Sequence, residues 1–172
     1  MINRIKAFKR ICVMAACAAI TVSCATAPSS GSQTGSAASQ AEIDSRQRIY
    51  MAYLREAGYT PTINDNGYIV FPREGINYYL YIDDTDPTFC FLQIPNIRYL
   101  NSDDERRRGA AAVSIANGGT KVAKAYFVNS ESRWWVSIGT EVYLENPDHF
   151  AVIFRRMMSA ANTAKELFDN NF

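Results

Sequence analysis

The chain has 172 residues, with 18 Lys+Arg against 17 Asp+Glu and 48% apolar side chains. Its first 40 or so residues lack the composition of folded protein, which leaves about 130, enough for one domain with a real core and too few for two. Four basic residues (Arg4, Lys6, Lys9, Arg10) lie in that leading segment, so from Cys24 onward 14 basic residues meet 17 acidic ones, a net charge of −3 that argues against a nucleic-acid partner.

The N-terminus reads as an export signal. Residues 1–10 are basic and residues 11–23 are apolar or small, the two regions of a signal peptide. The apolar run is shorter than the roughly 20 residues of a membrane span. Thr21-Val22-Ser23-Cys24 resembles a lipobox, with small residues before a Cys that would carry lipid, although Thr21 stands where Leu is usual. Two rivals are Cys17, which would leave an apolar region of only six residues, and Ala25-Thr26-Ala27, an ordinary cleavage pattern followed at once by Pro28. The expected organisation is a signal peptide over 1–23, a lipidated Cys24 with a flexible linker over 24–41, and one domain over 42–172. The uncharged Ser/Gly/Ala/Thr/Gln-rich stretch from Ala25 to Gln40 cannot bury a core; its r.m.s. reach is roughly 20–24 Å. The expected location is the cell envelope. With two membranes, the outer one, facing the periplasm, is the expected location, because Ala25 is not the Asp that commonly retains lipoproteins at the inner one. Cys12 and Cys17 fall inside the signal, so Cys90 alone remains in the folded part and no intramolecular disulfide is expected. Beside Phe89, Phe91 and Leu92, Cys90 suits a small buried hydrophobe.

Residues 42–57 read as a helix: Ile49, Tyr53 and Ala57, with Tyr50 and Leu54, form an apolar stripe, and Gly58 and Pro61 end it. A strand over Tyr68–Phe71 follows the turn pair Asn66-Gly67. Pro72-Arg73-Glu74-Gly75 is a hairpin loop. Ile76–Asp83 alternates, with Ile76, Tyr78, Leu80 and Ile82 on one face and Asn77, Tyr79, Tyr81 and Asp83 on the other. After the turn Asp84-Thr85-Asp86-Pro87, a third strand runs over Thr88–Ile94. Ser102 and Glu105 form a capping box for a second helix, and Asp103, Asp104 and Glu105 offset Arg106, Arg107 and Arg108. Asn117-Gly118-Gly119 is expected to end that helix in a left-handed cap. Strands over Lys121–Asn129 and Arg133–Leu144 follow. A last helix starts at Asn146-Pro147 and runs to about Phe168. The class is α+β: a five-stranded antiparallel sheet with flanking helices, in the order α-β-β-β-α-β-β-α.

This order and several local features resemble the YbjN family, whose domain has the type III secretion chaperone-like fold. The features are the helix end Leu54-Arg55-Glu56-Ala57-Gly58-Tyr59, the Asn66-Gly67 turn, the acidic turn Asp83-Asp84-Thr85-Asp86, Asn117 closing the middle helix, the Lys121–Phe127 strand and a final helix. The resemblance covers about residues 42–170. It implies a small binding or chaperone-like module without catalysis, and it supplies no catalytic residues.

The residues themselves offer little chemistry. His149, the only histidine, stands beside Asp148 on one helix, and sequence neighbours do not make a triad. Asp83, Asp84 and Asp86 invite a calcium reading, but an EF-hand loop needs Gly at its sixth position and Glu at its twelfth. Counted from Asp83 these are Thr88 and Ile94; counted from Asp84 they are Phe89 and Pro95. A turn stabilised by Asp side chains is the expectation, with no metal and no cofactor. Gly118-Gly119 lacks the Lys-Ser/Thr of a phosphate loop. The aromatic content, 10 Tyr, 9 Phe and 2 Trp, says more. Trp134, Val136, Ile138 and Val142 share one face of their strand; Trp135 and Tyr143 lie on the other. Tyr79, Tyr81, Trp135 and Tyr143 would form a partner-binding patch if that second face were open. With three helices for one sheet, the expectation is that a helix covers it. The sequence thus points to a lipid-anchored, non-catalytic envelope module that binds a protein or peptide, with an accessory structural subunit of an envelope complex as the alternative. Homodimerisation stays open.

Overall fold

The computed structural model describes residues 40–172. Helix α1 spans Gln40–Glu56, strands β1 to β4 span Thr62–Ile63, Ile69–Arg73, Ile76–Ile82 and Phe89–Leu100, and helix α2 spans Asp103–Gly119. Strands β5 and β6 span Ala123–Ser130 and Arg133–Tyr143, and a 3-10 turn at Pro147–His149 leads into helix α3, Phe150–Asp169. The strands form one antiparallel sheet in the order β1-β2-β3-β4-β6-β5.

The sheet has six strands where five were expected. The addition is β1, whose two residues pair with Val70 and Ile69 of β2. Two residues carry no periodicity; β1 is held by Asn64, whose Oδ1 accepts from the backbone of Asn66 and Tyr68 across the turn that ends at Gly67 (φ +81°). The expected four-residue loop at Pro72–Gly75 is tighter, since Pro72 and Arg73 still pair with Asn77 and Ile76. Glu74 and Gly75 make the turn with positive φ, the conformation that matches strand twist in a two-residue hairpin. Strand β4 runs on past Ile94 through Pro95. A bulge at Asn96 (φ +52°) shifts its register against β6, and β3 stops pairing at Gln93. The missing N–H of Pro95 therefore costs no rung of the β3 ladder.

Helix ends follow from their caps. Ser102 Oγ accepts from Glu105 N at 3.1 Å, while Glu105 Oε2 accepts from Asn101 N at 2.6 Å. Gly58 (φ +86°) ends α1, with Tyr59 N donating to Leu54 O, a left-handed stop. The left-handed cap expected at Asn117 is not formed: α2 continues through Gly119 to Thr120 in an extended conformation. Asn117 instead clamps the sheet's edge, donating to Ala125 O at 2.9 Å and accepting from Ala125 N at 2.7 Å. Its amide thus supplies the rung that a further strand would offer β5. Gly119 serves close packing, because a Cβ there would lie 2.5 Å from Leu167 Cδ1.

One core joins the helices to one face of the sheet. Ile69, Phe71, Tyr78, Leu80, Ile82, Cys90, Leu92, Ile94, Val136 and Ile138 point into it, with Tyr50 and Leu54 of α1, Ala112 and Ala116 of α2, and Phe150, Phe154, Ala161 and Phe168 of α3. Tyr50 stacks on Phe150 at 3.9 Å, which locks α1 beside α3.

Candidate functional site: the open face of the sheet

All three helices lie on the same side. Their contacts with the sheet fall on its inward rows, its edge and its strand ends: Tyr50 meets Cys90, Phe154 meets Phe71, Tyr78 donates to Asn162, Gly109 sits against Leu100 and Phe127, and Asn117 holds the Ala125 backbone. Among the described residues no helix covers the opposite face, contrary to the expectation of cover. The small residues Gly109, Ala112 and Ala116 let α2 settle close in, so a six-strand sheet accommodates three helices on one side.

The register sets the composition of the open face. Val70, Tyr79, Gln93, Gly139 and Lys124 form one row across β2, β3, β4, β6 and β5. Tyr81, Phe91 and Glu141 form the next, and Phe89 pairs with Tyr143 at one end of the sheet. Toward the other end, Tyr99 and Val128 flank Trp135. The rings cover one another: Tyr68 meets Tyr81 at 5.3 Å, Phe89 meets Tyr143 at 5.3 Å and Tyr99 meets Trp135 at 6.3 Å. Gly139 makes room for this layer, since a Cβ there would fall 2.3 Å from Phe91 Cε2. Gln93 Nε2 donates to Tyr126 Oη at 2.6 Å, tying the centre of the face together. Burial pushes the Tyr126 phenol above its ordinary value.

Tyr79, Tyr81, Trp135 and Tyr143 all stand on this face, as the alternation places them. They do not form one cluster. Tyr79 and Tyr81 sit mid-sheet and half-buried, whereas Tyr143 is 68% exposed at one end. Trp135 is eight residues from Tyr143 on the same strand, about 27 Å away. Phe89, Phe91, Tyr126, Tyr68 and Tyr99 stand on the same side in separate ring pairs and single positions, and Tyr99 is 47% exposed. The strict alternation of Phe89, Phe91 and Gln93 with Cys90, Leu92 and Ile94 is the signal that finds the first two.

Beside Tyr81 the acidic turn is occupied with its own backbone. Asp83 Oδ1 accepts from Thr85 N, Thr85 Oγ1 and Asp86 N, and Asp86 Oδ1 accepts from Thr88 N and Oγ1. The Thr85 hydroxyl, with the backbone donors, holds the Asp83 carboxyl below the usual range. Burial, then the nearby Asp83 charge, pushes the Tyr81 phenol up. His149 is exposed at the end of the 3-10 turn. Cys90 is buried, and burial pushes its thiol up, the wrong direction for a nucleophile. Cys24 lies outside the described residues.

No family model matches the chain, and no curated protein matches it. The fold is similar to that of YbjN. The crystal structure of YbjN from E. coli, a candidate transcription regulator, superposes with a TM-score of 0.53 at 12% identity, covering 72% of this chain and 89% of that one. This defines a mixed α+β domain of the YbjN-like fold: one antiparallel sheet with helices on one side.

Proposed function

We propose that the chain is a lipid-anchored, non-catalytic protein of the cell envelope, tethered through Cys24, whose YbjN-like domain binds a protein or peptide partner on the open face of its sheet. The observation that carries the reading is a face lined from end to end with aromatic side chains and covered by no helix among the described residues. Tyr and Trp, with an apolar body and a polar edge, are the residues that carry interface energy. The anchor rests on the basic and apolar segments before Cys24. A role in transcription is not carried over from YbjN, because the chain after the signal is at −3 and the face sets Glu141 near Lys124 rather than a basic stripe. The absence of catalysis is argued from Asp83 and Asp86, whose carboxylates accept from the turn's own backbone and threonine hydroxyls, and from Cys90, sealed in the core.

The test places a photo-crosslinking residue at Tyr143, at Trp135 or at Ile115 in the full chain in living cells. Ile115 is exposed on α2, away from the face. Discrete adducts from 143 and 135 with none from 115 support the reading, and a fixed-stoichiometry complex among them would favour a structural subunit. Equal adducts from all three sites, or adducts from 115 alone, end it. Acyl labelling of Cys24→Ser tests the anchor separately: retained labelling would move it to Cys17 or remove it.

A further inference from the structure

An open cleft of about 490 Å³ lies on the helix side, between the end of α1, helix α3 and the β2–β3 hairpin. Its floor is aromatic: Tyr59 meets Phe71 at 5.1 Å and Phe154 at 5.9 Å, and Tyr53 meets Phe154 at 5.8 Å. Its walls hold a surplus of hydrogen-bond donors. Arg73 Nη1 donates to Tyr59 Oη at 3.2 Å, which leaves that hydroxyl's own proton for another acceptor. Arg73 also meets Glu74, an exposed neighbour, and such a pair is weak. Arg155 lines the cleft, spends its Nε on Ala151 O within its own helix, and makes no ion pair among the described residues. Asn162 accepts from Tyr78 through Oδ1 at 2.7 Å, so its Nδ2 donor remains. Glu166, at the far end of the α3 wall, is the one carboxylate lining the cleft among the described residues.

We propose that this cleft is a second binding site, for a short acidic peptide segment whose carboxylates meet Arg73 and Arg155 and whose apolar side chain lies on Tyr53 and Tyr59. Planar guanidinium groups match carboxylates. The α3 wall from Arg155 to Glu166 is about 16 Å long, the length of about five extended residues. Ser159, the pair Asn162 and Thr163, and Glu166 recur there about once per turn, a spacing of about 5.4 Å that is somewhat shorter than the roughly 6.6 Å two-residue repeat of an extended chain. Glu166 at one end disfavours a polyanion, so separated carboxylates with apolar residues between them fit best. The site is independent of the sheet face.

The test is amide NMR of the isotope-labelled full chain, titrated with acetyl-Glu-Phe-Leu-Glu-amide and with its Gln-Phe-Leu-Gln isostere. Saturable shifts at Tyr59, Ser159 and Thr163 are expected from the acidic peptide, with at least fivefold weaker binding of the isostere. Arg155→Gln and Arg73→Gln should each weaken the acidic peptide at least fivefold, and Arg155→Lys less. Both arginines are exposed, and the amide spectrum itself reports whether each variant is folded. The proposal is overturned by no saturable shift at millimolar peptide, by equal binding of the two peptides, or by affinity unchanged in both Gln variants. Shifts confined to Tyr81, Phe91 and Tyr126 would also overturn it, while leaving the sheet-face reading standing.

Discussion

The Arg46 guanidinium donates to the carbonyl of Leu144 at 2.7 Å, joining helix α1 to the end of β6 across 98 residues of chain. A second bond reaches Glu145 O at 3.1 Å, and Glu42 pairs with the same group. Arg46 is only 6% exposed, so a charge sits in the protein satisfied by strand-end carbonyls and one carboxylate. Arg46→Ala deletes the charge but strands those carbonyls, and should cost about 2–4 kcal/mol. Arg46→Lys should recover part of it. Urea unfolding midpoints read the effect; a loss below about 1 kcal/mol would mean that α1 is held by its apolar face alone.

Next in the same interior chain stands Tyr50, whose hydroxyl lies 3.5 Å from Arg46 and 3.7 Å from Cys90 Sγ. Burial holds the Tyr50 phenol well above its ordinary value. The fold therefore keeps the neutral form while the unfolded chain ionises near pH 10. Stability from Tyr50 is complete below about pH 10 and falls as pH rises beyond it, by up to about 1.4 kcal/mol per pH unit. Tyr50→Phe keeps the stack on Phe150 and should make the alkaline loss shallower, with Tyr81, Tyr126 and Cys90, also pushed up by burial, keeping the remainder. Midpoints at pH 8, 9.5 and 11 that fall in parallel for both proteins would contradict it.

Gly139 and Phe91 form a coupled pair on the open face. A methyl group at Gly139 would occupy the position of the Phe91 ring, so Gly139→Ala should cost about 1–3 kcal/mol. In a Phe91→Ala background the methyl has room and the same change should cost little. A double-mutant cycle measures the coupling; additive losses would show that the ring does not rest on Gly139.

How much of this is legible in the sequence depends on the element. Alternation along Ile76–Ile82 and Arg133–Tyr143 sorts inward Tyr78, Leu80, Val136 and Ile138 from outward Tyr79, Tyr81 and Trp135, because a strand's side-chain period is fixed. Ser102, Gly58 and Asn146 announce helix ends, since capping is local chemistry. Strand β1 is too short for a pattern. Pro95 hides the rest of β4, because its tolerance depends on β3 having already parted from it. Asn117 has the composition of a cap and acts instead on Ala125, eight residues away, a partner that only the folded sheet supplies. The open face is hidden for the same reason: counting helices does not tell on which side they pack.

Trp134 and Trp135 separate the two faces most directly. They are adjacent on β6, so they point to opposite sides of the sheet. Trp134 pairs with Leu100 and Asn129 and packs against the core, edge-on to Phe127 at 6.5 Å. It is half-buried near the hairpin rather than sealed, so truncation should cost about 2–3 kcal/mol, below the 3–5 kcal/mol of a fully enclosed large aromatic. Trp135 shares its side with Tyr99 and rests on it at a tilt of 59°. Trp135→Ala should cost about 1 kcal/mol or less, because one ring contact on an exposed face is lost rather than a core position. The same substitution should abolish the adduct formed from the crosslinker at Tyr143 if the partner spans the face, and Trp134→Ala, where folded, should leave it. Thermal melts of the two variants give the first comparison and adduct yield the second. Equal destabilisation by both substitutions, with adducts intact in Trp135→Ala, would make the outward rings a structural layer and not a docking surface.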